Sequence, residues 1–417
     1  MHYAAFAVLS LIVSVAFPVS GQTSVWTGAS GDGLWLTANN WDTAGVPDGF
    51  GASAVVGAPR GTFLDGDVNL GSLTVTADGD LIFFSGFGLD LSVGPTRALQ
   101  NAGAITLREG SRLGLAPTIE NSGEIDVNTG TVGGALELRS DVELTGGGTI
   151  MLRGPGARVF AAGGPHQLGN INQTIHGGGQ LGQNSITIFN GPNGLIQADR
   201  FEETLVVDPA AGVGGRAGLT NRGTLSASGS GRLELSGAGG GWIDNTGGVI
   251  TGQSIGTVVF TDGIEVVGGT IGNNNAGLFS VAAGHEAAFR DVTFTSRISL
   301  TTRGNLGFGG GSTVRLLGDT TNNLGILNVS QAPEGETTRV LIHPDGHTLD
   351  GGGSSTYAAT GPSSPPKRPA ARPSLSGTSW SAAAAVSATT GSRSSTTEGF
   401  RAPKKARPWS STPAPAG

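Results

Sequence analysis

The two stretches that decide the fold are Asn101–Leu107, "NAGAITL", and Asn121–Val127, "NSGEIDV". With the residues before them they share one pattern: apolar–x–Asn–x–Gly–x–apolar–x–apolar. It runs Leu99, Asn101, Gly103, Ile105, Leu107, and again Ile119, Asn121, Gly123, Ile125, Val127. Weaker copies carry Asn221 with Gly223 and Leu225, Asn245 with Gly247 and Val249, and Asn323 with Gly325 and Leu327. Neighbouring copies stand 20 and 24 residues apart. Apolar residues two apart point to one side of a strand. A strand pair this short cannot bury its apolar face alone, but coils stacked on one another turn the repeats into a continuous interior ladder. Each fully buried Leu or Ile contributes about 1.5–3 kcal/mol. The Asn-x-Gly corner is expected to exploit the left-handed tolerance of Asn and the positive φ open to Gly, with Asn residues bonded to one another up the axis.

A second motif interleaves with the first. It reads "LTGGGTIMLRG" from Leu144, "IHGGGQLG" from Ile175, "VVGGTIGNN" from Val266 and "LDGGG" from Leu349, in each case strand, glycine turn, strand. Together the motifs predict an all-β chain: a single-stranded, right-handed parallel β-helix, or β-solenoid, with three short strands per turn. A β-sandwich array is the alternative fold, and it would want hairpin signals and longer alternating strands.

Composition agrees. Glycine accounts for 74 of 417 residues without a collagen period, and charged residues make up only 13%. There is no cysteine, which excludes disulfides and thiolate metal sites. Net charge is −7, unevenly placed. Eight of the 24 Lys and Arg and one of the 31 Asp and Glu lie from Ser354 onward, leaving 16 bases against 30 acids before it. An acidic body argues against nucleic acid as a partner.

Four segments follow from this. Residues 1–21 read as a secretory signal, with an apolar core from Ala4 to Phe17 and cleavage before Gln22; once it is removed, no stretch spans a membrane as a helix. Residues 22–60 form a glycine-broken segment holding Trp26, Trp35 and Trp41, expected to cap the first coil; a sugar-stacking platform is the other use of such rings. Residues 61–353 carry the solenoid repeats. Residues 354–417 form a basic Pro/Ser/Ala-rich tail expected to be disordered, with too few branched apolar residues to continue the ladder.

The tail has a sharper reading. Move the frame back one nucleotide, so that Ser becomes Val, Ile, Leu or Phe, Thr becomes Asp, Asn, His or Tyr, and Ala becomes Gly, Arg, Ser or Cys. Trp409–Ala416 can then read "LVVDPGAG", beside "LVVDPAAG" at Leu205–Gly212. Ser354–Gly361 can read "VVDLRGDG", beside "TIMLRGPG" at Thr149–Gly156. Val386–Arg393 can read "GLGDNGIT", beside "QLGQNSIT" at Gln180–Thr187. The three matches keep their order in one frame, so the tail reads as an out-of-frame translation of a further solenoid segment.

The Trp-rich opening "VWTGASGDGLWLTANNWD", the "NAGAITL" and "NSGEIDV" repeats and the GGG turns resemble secreted or surface-exposed bacterial β-helix repeat proteins, the autotransporter- and haemagglutinin-like families. The resemblance runs over roughly residues 25–353. It implies an extracellular or cell-envelope location and a structural or adhesive role, with an extracellular glycan or another surface protein as partner.

Catalytic and metal constellations are sparse. "HPDGH" at His343–His347 and the Asp-Gly-Asp runs at Asp65–Asp67 and Asp78–Asp80 read as turns and not as ligand sets. Glu202, Glu203, Glu334 and Glu336 are acids whose spacing in the fold the sequence does not supply. The chain is therefore expected to hold no cofactor, metal or catalytic centre. A polysaccharide-degrading or polysaccharide-binding β-helix is the alternative function.

Overall fold

The computed structural model describes residues 21–57, 61–91, 98–128, 132–274, 277–295, 298–300, 311–323, 326–329, 337–342, 348–350, 354–359, 386–389 and 396–401. One turn of the chain shows the plan: Leu99–Asn101, Ala104–Leu107 and Arg112–Leu115 are three short strands separated by corners. The next turn repeats it with Thr118–Asn121, Glu124–Val127 and Ala135–Leu138. Each strand lies parallel on its counterpart a turn earlier, with Leu99 facing Ile119, Ile105 facing Ile125 and Leu113 facing Leu136. The three positions are called here the first, second and third faces. Strand neighbours are thus a full turn apart in sequence, which hairpin-built sandwiches do not produce. The fold is a β-solenoid of about ten turns. At 4.7–4.9 Å per strand step it is roughly 50 Å long. No α-helix occurs among the described residues.

The interior is built from columns. On the second face Leu81, Ile105, Ile125, Ile150, Ile175, Ile196, Leu225, Ile250, Ile271 and Phe294 stand directly over one another. All are at most 1% exposed. On the third face Leu89, Leu113, Leu136, Val159, Leu181, Val207, Leu235 and Phe260 do the same. The side-chain period of two fixes the register, because a slip of one residue would turn a whole column outward.

The corner between the first and second faces holds a ladder of buried amides. Asn101 Nδ2 donates to Asn121 Oδ1 at 2.7 Å, Asn170 Nδ2 to Asn190 Oδ1 at 2.9 Å, Asn190 Nδ2 to Asn221 Oδ1 at 2.8 Å, and Asn221 Nδ2 to Asn245 Oδ1 at 2.7 Å. The turn between Asn121 and Asn170 ends in Gly146–Gly148 and has no Asn. Gln173 fills the gap from one turn further on. Its Oε1 accepts from Asn121 Nδ2 at 2.8 Å, and its Nε2 donates to the carbonyls of Asn121 and Thr145 at 2.8 and 2.6 Å. A buried amide left unpaired costs about 1–3 kcal/mol, so the ladder passes from partner to partner, and only at its first rung is an amide oxygen, Asn101 Oδ1, left without one among the ladder's described residues.

Three sequence expectations about this corner change. Asn101, Asn121, Asn221 and Asn245 are not left-handed, and neither are Gly103, Gly123 and Gly223. Glycine is required there by close approach: a Cβ on Gly123 would lie 2.1 Å from the Gly103 carbonyl oxygen, and one on Gly103 2.3 Å from the Gly79 oxygen. Gly247 alone takes positive φ, at 77°, and its successor Gly248 makes the close approach instead. Asn323 lies on the second face, paired with Phe294, and so at a different corner from the ladder; Gly325 lies outside the described residues. Loop length between strands varies from turn to turn, and the spacing motif alone does not say which corner it occupies.

Beyond Gly353 the described residues are Ser354–Ala359, parallel to Ile326–Val329, and Val386–Thr389 and Thr396–Arg401, each antiparallel to an earlier strand. Each is rich in Ser and Thr with Val, Tyr or Phe, which suits extended backbone.

The ladder makes a sharp test. Asn121→Ala takes away one of the two acceptors of Asn101 Nδ2 and the donor to both Gln173 Oε1 and the Thr149 carbonyl. Urea unfolding should show a loss of about 2–5 kcal/mol, against less than about 0.5 kcal/mol for Ser122→Ala beside it. Equal effects would refute the ladder's role.

Candidate functional site

The three tryptophans sit at the N-terminal end of the core. Thr23–Val25 lies parallel on Ser53–Val55, which in turn lies on Ser72–Val75, so the segment forms the first layers of the stack. Trp35 is fully buried, and Trp26 and Trp41 nearly so. Trp41 packs edge-on against both of the others, with centroids 4.6 Å from Trp35 and 5.1 Å from Trp26. Its Nε1 donates to the Trp35 carbonyl at 2.8 Å. Rings so covered are not free to stack on a sugar.

Asp32 ties the surrounding loop. Its carboxylate accepts from the Leu34 N–H, the Ser30 and Thr37 hydroxyls and the Asn40 side-chain amide. These donors, the Leu34 N–H foremost, hold its carboxyl well below the usual carboxylate range. The Asp-Gly-Asp run at Asp65–Asp67 works in the same way: Asp65 accepts from the Leu36 N–H and Asp67 from the Gly88 N–H. Both carboxylates link one coil to another. Among the described residues no three His, Asp or Glu side chains converge as a metal site. The "HPDGH" stretch, Glu334 and Glu336 lie outside the described residues.

Around the second face, His176 Nδ1 is 2.9 Å from Asp199 Oδ2, Arg153 pairs with Asp126 at 2.6 Å and Arg200 with Glu203 at 2.9 Å. The Glu203 side chain passes over Gly178, where a Cβ would meet it at 2.6 Å. His176 and Gly178 are two residues apart, at the bend where the chain leaves the second face, so Asp199 and Glu203 flank the same stretch of backbone. Each acid already has a partner, the His176 ring for Asp199 and the Arg200 guanidinium for Glu203. Glu202 beside them is exposed with φ at 55°.

The concave site is on the third face. It is a cavity of about 250 Å³ lined by Asp67, Phe87, Arg112, Glu137, Arg158 and Phe160, with Gly86, Gly88, Gly110 and Ala135 in its lining. Its origin is register. One outward column runs Gly88, Arg112, Ala135, Arg158, and its neighbour runs Asp90, Gly114, Glu137, Phe160. Small residues alternate with long ones, and the long ones fold over the gaps. The Arg112 guanidinium crosses Gly88, and the Asp90 carboxylate crosses Gly114.

A ring of charge holds the middle of this face. Arg112 pairs with Asp90 at 2.6 Å and reaches Glu137 at 3.6 Å; Arg139 pairs with Asp90 at 3.1 Å and Glu137 at 3.2 Å. Two arginines thus balance two carboxylates, one of them, Glu137, buried. Arg158 stands outside the ring. Its guanidinium lies over the Phe160 ring, 5.1 Å from the centroid, and no described carboxylate pairs with it. Its Nε is buried without a hydrogen-bond partner.

Apart from Asp67, of the Asp-Gly-Asp run, none of these groove residues carries a sequence motif. They come from successive turns, 22 residues apart for Arg112 and Asp90 and 49 for Arg139 and Asp90. Aligned by turn, four of the body's few ionic side chains, Asp90, Arg112, Glu137 and Arg139, meet on this face.

Compared with known protein families, curated proteins and solved structures, the chain matches none.

Two outcomes follow for the cap. Trp35→Ala should cost about 3–5 kcal/mol of stability in thermal or urea unfolding, as for a large core truncation; a loss below about 1 kcal/mol would refute the packing described. Asp32 has a folded pKa below its unfolded value, so its stabilisation is present above about pH 4 and fades as pH falls below that. The melting temperature of Asp32→Asn should therefore lie furthest below wild type near neutrality, and the two should converge on acidification. A gap constant with pH would contradict this.

Proposed function

We propose that this chain is a secreted or cell-surface structural and adhesive repeat protein without catalytic activity, presenting its solenoid faces to an extracellular glycan or another surface protein. The observation that carries the reading is the outer surface of the second face. One outward column runs Glu124, Thr149, Thr174, Leu195, Thr224, Val249, Thr270, Thr293, one residue per turn. Its neighbour runs Thr106, Asp126, Met151, His176 and Gln197, and then Ser226 and Thr251, which are buried. The threonines of the first column, at a turn spacing of about 4.8 Å, make a regular surface suited to many weak, repeated contacts. The apolar leader at Ala4–Phe17 fits export.

The Asp199–Glu203 pair favours one second reading, hydrolysis of a polysaccharide, since glycosidases work with two acids on one surface. One comparison separates the two. Beads coated with the full chain should be retained on a glycan array, while the soluble chain should release no reducing ends from the same glycans. Release abolished by Glu203→Gln would replace the adhesive reading with the enzymatic one. Retention no greater than that of uncoated beads would overturn the glycan half of it.

We further propose that residues 354–417 are translated out of frame from a further solenoid segment. Burial in Thr149–Ala161 supports this. The inward residues there are Ile150, Leu152, Gly154, Ala157, Val159 and Ala161, with Gly154 at φ 86°. In the tail, at the same spacing, stand Ser355, Tyr357, Ala359, Pro362, Ser364 and Pro366. Moved back one nucleotide, these can encode Val, Leu, Gly, Ala, Val and Ala: apolar wherever the coil is apolar, and glycine where φ is positive. Resequencing the locus should reveal a gained or lost base near codon 353, and mass spectrometry of the exported protein should find no tail peptides. An intact frame together with a peptide ending at Arg401 would refute it.

A further inference from the structure

We infer that the third-face groove is a binding site for an acidic sugar, with Arg158 as the residue that takes the carboxylate of a uronate unit. This deepens the adhesive reading and rests on it only for the class of partner.

The argument begins with charge. Along the groove every other arginine is spent: Arg112 and Arg139 are each held by both Asp90 and Glu137. Arg158 is the next cation up the column, one turn above Ala135, and the described residues offer it no carboxylate. A buried guanidinium N–H without an acceptor is costly, and the unpaired Nε of Arg158 is such a group. Stacking on Phe160 fixes the plane of the guanidinium and leaves its edge as the donor surface. A planar, pre-oriented fork of N–H donors beside a cavity is matched by a planar carboxylate, which accepts two parallel hydrogen bonds.

Shape and backbone chemistry select the rest of the ligand. The groove runs along the stacking direction, and Gly88 to Arg158 is three turns, or roughly 14 Å. This is room for an extended chain molecule. A peptide bound in extended form recognises a sheet by adding a strand to a free edge. No such edge exists here, because the main chain of these strands is already paired to the turns on either side. Recognition must come from side chains alone: a charged ring, one free guanidinium and the aromatic rings of Phe87 and Phe160. That favours a ligand dense in hydroxyls with flat faces to lie against aromatic rings. A polysaccharide bearing carboxylates has these features; a neutral glycan leaves Arg158 unanswered.

The test uses the full chain in calorimetric titration against oligogalacturonate, the neutral galactose oligomer of the same length, and an oligo-glutamate peptide. Oligogalacturonate should bind, at least tenfold more tightly than either of the others, with affinity falling as salt is raised. Arg158→Gln should weaken oligogalacturonate at least tenfold. Arg232→Gln, further along the same face and paired to Glu234 at 2.9 Å, should leave it unchanged within twofold. Arg158→Lys keeps the charge without the fork and should fall between them, which guards against a variant that simply fails to fold. The inference is overturned if acidic and neutral oligomers bind alike, if Arg158→Gln binds as wild type does, if the peptide binds as tightly as the sugar, or if no acidic sugar binds at all. In that last case retention of coated beads on other glycans would still stand by itself.

Discussion

The structure depends on one constraint: each turn must lie in parallel register on the turn before it, at the single spacing that main-chain hydrogen bonds allow. Interior columns follow from it directly. Because Ile105, Ile125, Ile150 and Ile175 share a column, every turn must supply a side chain of similar bulk at that point, and every corner must close within the same cross-section. Where corners approach too closely for any side chain, glycine is forced, as at Gly103 and Gly123. Residues in excess of the cross-section are expelled as loops, which is why turns differ in length while the columns remain straight.

Stacking also brings polar groups into line, and the protein uses this inside and outside. Inside, amides meet at one corner and satisfy one another, an arrangement tolerable in an apolar interior only if the run is continuous. Gln173 shows how strictly this holds: where a glycine corner lacks an Asn, a longer amide reaches back a turn to complete the chain. Outside, the same alignment sets Arg112 over Gly88 and Glu137 above Gly114, so a concave, charged groove arises from residues that are distant in sequence. Interior order and surface recognition are two consequences of one register.

A stack must also end, and its last layer exposes an apolar interior. Three indoles close the N-terminal end, locked edge to face, with Asp32 gathering the loop around them through four donors. Burial accounts for why tryptophans that could have been a sugar platform are packing instead: rings covered on all sides have no face left for a ligand.

The Asn–x–Gly pattern and its flanking apolar pairs determined by themselves that the chain coils and which side chains face inward. Those properties are local, since alternation is written along the strand. The sequence also placed Asn101, Asn121, Asn221 and Asn245 at a shared corner, because equal spacing puts equal residues in one column. Only the tertiary structure decided the rest. It moved Asn323 to another corner, since one change in loop length shifts every later motif. It showed that Gly103 is required by a neighbouring carbonyl and not by its own φ. It brought Gln173 to Asn121 across 52 residues and set Arg158 apart from the carboxylates that hold Arg112 and Arg139. Each of these depends on what lies one turn above or below, and that neighbour is fixed by the accumulated register of the stack, which no local pattern records.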